Sequence, residues 1–150
     1  MPRLAVGSAF VLLICALIGV GGRRSTHHDV PLTGNGRHLI VEARLNSTVS
    51  GPMLVDTGAS YCVVNPAIAR QLDLEPINLR GVSVATANGA VDANLVELDS
   101  VQLGGARLAR VRAVVMEAVE PPLIGVLGLS FLTQFRFSVD QPGGVLRLER

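Results

Sequence analysis

Three consecutive residues, Asp56, Thr57 and Gly58, have the types and spacing to do acid–base chemistry. An apolar run, Met53 to Val55, leads into them, and a second, Cys62 to Val64, follows. Short apolar runs rich in β-branched residues read as buried strands, so the polar trio falls on a tight turn walled by hydrophobic backbone. A carboxylate there is costly to keep charged unless hydrogen bonds or a shared proton compensate it. Gly58 lets the backbone bend and brings its N–H toward a carboxylate oxygen, while the Thr57 hydroxyl can lock the loop. The trio suits a catalytic acid or base. Asp-Thr-Gly is also an ordinary turn sequence, because Asp bonds nearby backbone and Gly accepts positive φ; taken alone, the motif leaves both readings open.

The rest of the chain bounds the choice. Its 150 residues suffice for one domain and an appendage. Hydrophobic residues make up 49% and charged residues 17%, enough apolar matter for a core that Val, Leu, Ile and Ala must fill, since Trp is absent and Tyr occurs once. All 13 basic residues are Arg; against 12 acidic residues they leave a net charge of +1 and no basic patch, so no nucleic-acid partner is expected. Cys15 lies in the N-terminal apolar run and Cys62 beside the acidic turn, which offers neither a disulfide framework nor a zinc site. His27 and His28 have only His38 as a further histidine and read as solvated linker residues. No metal and no cofactor are expected.

Leu4 to Val20 is a nearly unbroken apolar run, preceded by Arg3 and followed by Gly21, Gly22, Arg23 and Arg24. It reads as a signal-peptide core or a short membrane anchor. The organisation expected is therefore a signal or anchor over 1–22, a linker over 23–36 and a folded domain over 37–150. The domain would be held at the membrane on the exported side, or secreted if the segment is cleaved.

Several elements must position the acidic turn. Leu39 to Leu45 alternates, with Val41, Ala43 and Leu45 on one face and Glu42 and Arg44 on the other, so it reads as a strand. Asn46 to Gly51 turns the chain back, and Asp56 then closes a hairpin. Asn46-Ser47-Thr48 is formally a glycosylation sequon and is read as turn chemistry. Asn65-Pro66 opens a short helix to about Leu72, with Asn as N-cap and Pro in the first turn. Val82 to Thr86 and Ala90 to Leu98 flank Ala87-Asn88-Gly89, a strong hairpin signal whose small, polar tip would suit a mobile flap. Leu108 to Met116 reads as a strand. Val126-Leu127-Gly128 reads as a buried strand ending close to another backbone, followed by a short helix from Leu129 to Phe135. Phe137 to Asp140 and Val145 to Leu148 form a last hairpin.

With these pieces in order, the chain resembles the retropepsin-like aspartic proteases, in particular their small membrane-tethered bacterial members with a single Asp-Thr-Gly motif. The resemblance rests on Leu54 to Ser60, on the Asn88-Gly89 hairpin and on Val126 to Leu132, and it spans Arg37 to Arg150. Two motifs about 70 residues apart in the right order are more specific than either alone. It implies an all-β fold with one or two short helices, a closed β-barrel lobe that works as a homodimer. Asp56 would be the catalytic carboxylate, with Thr57 locking the acidic loops and Gly58 offering its N–H. Ala59, Ser60, Val126, Leu127 and Gly128 would support that loop. Thr86, Ala87, Asn88, Gly89 and Ala90 would close over a peptide bound in extended form in apolar pockets.

One lobe carries one such aspartate, and Asp92, Asp99 and Asp140 lack the Asp-Thr/Ser-Gly context. The resemblance therefore implies Asp56 facing Asp56 across a two-fold axis, one carboxylate activating water and the other protonating the scissile carbonyl. The function implied is that of an aspartic endopeptidase. The alternative is a catalytically silent retropepsin-fold module that dimerises or binds peptides at the membrane.

Overall fold

The computed structural model describes residues 25–34, 38–77, 81–86 and 89–150. Strands β2 (Ile40–Leu45) and β3 (Val49–Val55) pair antiparallel from Ile40↔Leu54 to Leu45↔Val49. Val41, Ala43 and Leu45 are buried and Glu42 and Arg44 exposed, as the alternation requires. Asn46 and Ser47 take φ of 47° and 62° in the turn, the mirror-image geometry that matches strand twist. The sequon asparagine is thus a turn residue, and its backbone N–H donates to the Ser100 carbonyl at 2.9 Å.

β4 (Cys62–Val64) leads into α1 (Pro66–Gln71). Asn65 occupies the N-cap position, yet its side chain does not cap. Its Nδ2 donates instead to the carbonyls of Val119 (3.3 Å) and Leu123 (3.1 Å), tying the helix start to the loop before the next strand. β5 (Val82–Thr86), β6 (Gly89–Leu103) and β7 (Ala106–Val115) form an antiparallel meander. β6 runs on past Leu98 to the Gly104-Gly105 turn because Leu98, Ser100 and Val101 continue to find buried places against β7.

β8 (Gly125–Leu127) lies between β3, to which it is parallel, and β4, to which it is antiparallel; β4 runs parallel to β7. Arg44↔Gln102 and Leu45↔Val101 join β2 to β6 and close the barrel in the order β2-β3-β8-β4-β7-β6. This is the mainly β, closed-barrel lobe expected. Leu45, Met53, Leu98, Leu103 and Leu127 fill it, with Phe131 from α2 (Leu129–Leu132) at one end. Phe131 and Phe135 pack beside one another with ring centroids 5.2 Å apart.

The C-terminal hairpin, β9 (Arg136–Asp140) and β10 (Val145–Glu149), forms as expected. Its partner is a correction to the sequence reading: His27–Pro31, within the segment read as linker, is strand β1 and pairs antiparallel with β10. Thr26 and Arg150 exchange both backbone hydrogen bonds at 3.0 Å. Only Val30 of β1 is buried, so a lone apolar residue among polar ones gave no periodic signal. The apolar segment over 1–22 lies outside the described residues; among those described, no helix is long and apolar enough to cross a membrane.

Candidate active site

The β3–β8 pairing sets the position of the acidic residue. Met53, Leu54 and Val55 run beside Gly125, Val126 and Leu127, and the next N–H, that of Asp56, donates to the Leu127 carbonyl at 3.1 Å. The chain then turns, and Ala59 N–H donates to the Asp56 carbonyl at 3.3 Å. Within this turn Gly58 N–H donates to Asp56 Oδ1 at 2.8 Å, a charge-assisted bond that fixes one carboxylate oxygen. A Cβ on Gly58 would stand 3.1 Å from that oxygen, tighter than side chains ordinarily tolerate.

The far side of the loop is clamped by α2. Leu129 N–H donates to the Ala59 carbonyl (2.8 Å) and Ser130 N–H to the Ser60 carbonyl (3.0 Å). Gly128 passes so close beneath this backbone that a Cβ would fall 2.2 Å from the Tyr61 oxygen and 2.7 Å from that of Ala59. A Cβ on Gly125 would meet the Val63 oxygen at 2.0 Å. Both glycines are there for backbone approach rather than for φ. The supporting residues expected from the sequence, Ala59, Ser60, Leu127 and Gly128, therefore do gather around Asp56. Val126 is the exception in detail: it faces away from Leu127, toward the outer side of the sheet.

That outer side carries a second apolar cluster, which the sequence reading did not assign residue by residue. Val63 and Val126 are cross-strand partners; with Ala93, Leu95 and Val114 they form a buried patch against which Leu54, Ala59, Tyr61, Val82, Val84, Met116 and Val119 pack. Leu54 and Ala59 belong to the acidic hairpin, and Val82 and Val84 to β5. The cluster is thus an apolar wall shared by the acidic turn and the base of the expected flap. Alternation along Cys62-Val63-Val64 was the available signal, since it turns Val63 away from the barrel interior.

Of the expected flap residues, Thr86, Gly89 and Ala90 lie on the β5–β6 hairpin, with Thr86↔Gly89 and Ala85↔Ala90 in register. Thr86 Oγ1 donates to the Gly89 carbonyl at 2.8 Å, and Gly89 takes φ 111°, a conformation that favours glycine. Ala87 and Asn88 lie outside the described residues.

One expectation is corrected. The flanking apolar runs predict Asp56 in a turn walled by hydrophobic backbone, yet in the single chain Asp56, Thr57 and Gly58 are all exposed. The flanking strands are buried, but the loop caps the sheet end and presents its polar groups outward. Among the described residues the Thr57 side chain makes no hydrogen bond. Cys62, by contrast, is fully buried, and burial pushes its thiol pKa up despite hydrogen bonds from Ser130 and nearby backbone. It is a packed, protonated thiol rather than a nucleophile.

The sequence pattern of a family described as aspartyl protease matches residues 41–131, from β2 to the first turn of α2. The chain belongs to this aspartyl protease family. Among solved structures, a retropepsin-like aspartic protease from Rickettsia conorii is 26% identical, with a TM-score of 0.62 over 83% of this chain and 92% of that one. EIAV protease, solved with the inhibitor HBY-793, is 20% identical with a TM-score of 0.54, covering 69% of this chain and 93% of that one. The retroviral protease-like domain of Ddi1 from Leishmania major shares 19% identity at a TM-score of 0.52, covering 74% and 87%. These likenesses place the aspartyl protease lobe in the retropepsin-like fold. A Sinorhizobium sp. protein described as uncharacterised, in the cobV 5′ region, is 34% identical over 101 residues, 63% of this chain. The chain spans 43% of the length of that relative.

Proposed function

We propose that this aspartyl protease family member is a homodimeric aspartic endopeptidase in which each subunit contributes Asp56. The observation that carries the proposal is a carboxylate with one oxygen fixed by Gly58 N–H and exposed at the end of a rigid sheet, in a lobe with only one Asp-Thr-Gly sequence. A carboxylate alone has no partner for the proton that peptide hydrolysis must move twice. A second copy of the same loop, brought up across a two-fold axis, supplies it. Like charges at that distance cannot both ionise cheaply, so the pair holds one proton over a range of pH. The ionised Asp56 takes a proton from water as it attacks the scissile carbonyl, and the protonated one donates to the carbonyl oxygen. Exposure of Thr57 and Gly58 in the single chain leaves both free to meet the partner loop. The half-buried residues that cover the Val63–Val126 cluster, Leu54, Tyr61, Val82 and Val84, would receive apolar side chains of an extended peptide, with the flap hairpin closing over it.

The apolar run over 1–22 supports a further part of the reading, an exported domain held at a membrane by its N-terminus. The test is cleavage of an unfolded protein by concentrated enzyme from acidic to neutral pH, beside Asp56→Asn. Cleavage by the parent alone, greatest below neutral pH, is expected. Peptide binding without cleavage at any pH by a proven dimer would replace the proposal with the silent module.

A further inference from the structure

Ser130 lies in α2, outside the Asp-Thr-Gly loop and outside the strand that supports it. Its hydroxyl nevertheless makes two hydrogen bonds to the backbone that enters and flanks that loop. Ser130 Oγ donates to the Arg112 carbonyl at 2.7 Å and accepts the Cys62 N–H at 2.9 Å. Its own N–H donates to the Ser60 carbonyl at 3.0 Å. One residue thus grips the backbone at Ser60 and Cys62, on either side of Tyr61, and joins both to β7.

The location explains why a hydroxyl is needed. β4 begins at Cys62, which registers with Ala113 of β7 in a parallel ladder. At this first rung the Ser130 hydroxyl links the Cys62 N–H to the Arg112 carbonyl. A hydroxyl can donate and accept at once; an apolar side chain would leave a donor and an acceptor unpaired at the point where the acidic loop enters the sheet. Upstream, Asp56 N–H is held by the Leu127 carbonyl, which fixes the loop's other end. The loop from Asp56 to Cys62 is therefore suspended between Leu127 and Ser130, two residues of one short rigid stretch.

We propose that Ser130 is a positioning residue for the Asp56 carboxylate, acting through the Ser60–Cys62 backbone. The inference rests on the aspartic-endopeptidase reading for its consequence in catalysis, but its structural content does not. The hydroxyl sets where the loop leaves β4, and so where the carboxylate presents itself to a partner. β7 also pairs with β6, with Arg112 opposite Glu97, so the same bridge ties the acidic loop to the strand that carries the distal arm of the flap hairpin. Displacement of a catalytic group by about 1 Å can cost about a hundredfold in rate while leaving substrate contacts in place.

The experiment compares the parent, Ser130→Ala and Ser130→Thr as full chains, at a temperature where each is folded and dimeric. Three readouts are taken: kcat and KM on one peptide, thermal midpoint, and amide hydrogen exchange across residues 57–62. Ser130→Ala is expected to lower kcat by roughly tenfold to a hundredfold with KM within about twofold, and to speed exchange at Ser60 to Cys62. Ser130→Thr keeps the hydroxyl and is expected to recover most of kcat and of the protection. A kcat per folded dimer that is unchanged in Ser130→Ala overturns the proposal, as does a loss that Thr does not restore. If the parent itself does not cleave, the endopeptidase reading fails and exchange alone decides: unchanged protection at Ser60 to Cys62 in Ser130→Ala then overturns the clamp.

Discussion

Gly128 and Tyr61 stand in backbone contact: a Cβ on the glycine would lie 2.2 Å from the tyrosine carbonyl oxygen. Gly128 has φ −102° and ψ −172°, extended geometry that any residue adopts, so the need for glycine is purely steric. Neither atom can yield cheaply, since Tyr61 is anchored between the Ser60 and Cys62 contacts and Gly128 caps α2. Gly128→Ala is expected to cost about 1–3 kcal/mol in urea unfolding, the usual range for forced overpacking, and to abolish cleavage. A change below about 0.5 kcal/mol would mean that the strands part without strain.

The same contact indicates how much could be read in advance. Val126-Leu127-Gly128 was legible as a strand ending against backbone because an apolar pair before glycine has few other uses. The acidic turn, the Asn-Gly hairpin and the closing hairpin were legible for similar local reasons. β1 was not, because its stability comes from pairing with a strand at the opposite end of the chain, and only Val30 gains burial. Ser130 was not, since a serine in a short helix has no local signature; its value lies in where Cys62 and Arg112 arrive. Exposure of Asp56 also escaped the reading. Apolar neighbours along the chain say that the strands are buried, not which side the loop faces.

Cys62 supplies a reporter of this packing. Burial raises its thiol pKa, with the Ser130 and backbone hydrogen bonds opposing only in part. The neutral form is favoured in the folded state, so this group's contribution falls away as pH rises above the unfolded value, near 8.5. Native protein at that pH is expected to resist alkylation at Cys62 over hours and to react within minutes in denaturant. Mass mapping of the labelled peptide checks this. Rapid native labelling would show that the start of β4 opens readily.

Asp140 sets an acid limit on the terminal sheet. Its pKa is lowered first by the Gly143 N–H, which donates to Oδ1 at 2.9 Å, and then by Arg147, whose Nη2 donates to Oδ2 at 2.9 Å. A depressed carboxylate stabilises the fold above its unfolded pKa, near 4, and loses that contribution as pH falls through the lower folded value. Asp140→Asn is therefore expected to lower the thermal midpoint modestly at pH 6 and to have little effect near pH 2, giving a flatter profile. Parallel curves for parent and variant across that range would mean that Asp140 is not responsible.

Mixing subunits tests the two-chain site most directly. Asp56→Asn retains an Oδ1 acceptor for Gly58 N–H and sits on an exposed loop, so its fold and dimer affinity should match the parent within about 0.5 kcal/mol. When equal amounts are mixed and allowed to exchange, random pairing leaves each parent chain about an even chance of a parent partner. Since a mixed pair has one competent carboxylate, activity is expected to fall to about half that of the same parent concentration topped up with parent-free buffer at saturating dimer. Activity per parent chain should also decline on dilution, as pairs dissociate. Activity that ignores both the variant and dilution would place the whole reaction within one chain, and a single exposed Asp56 would then need another proton partner from its own barrel.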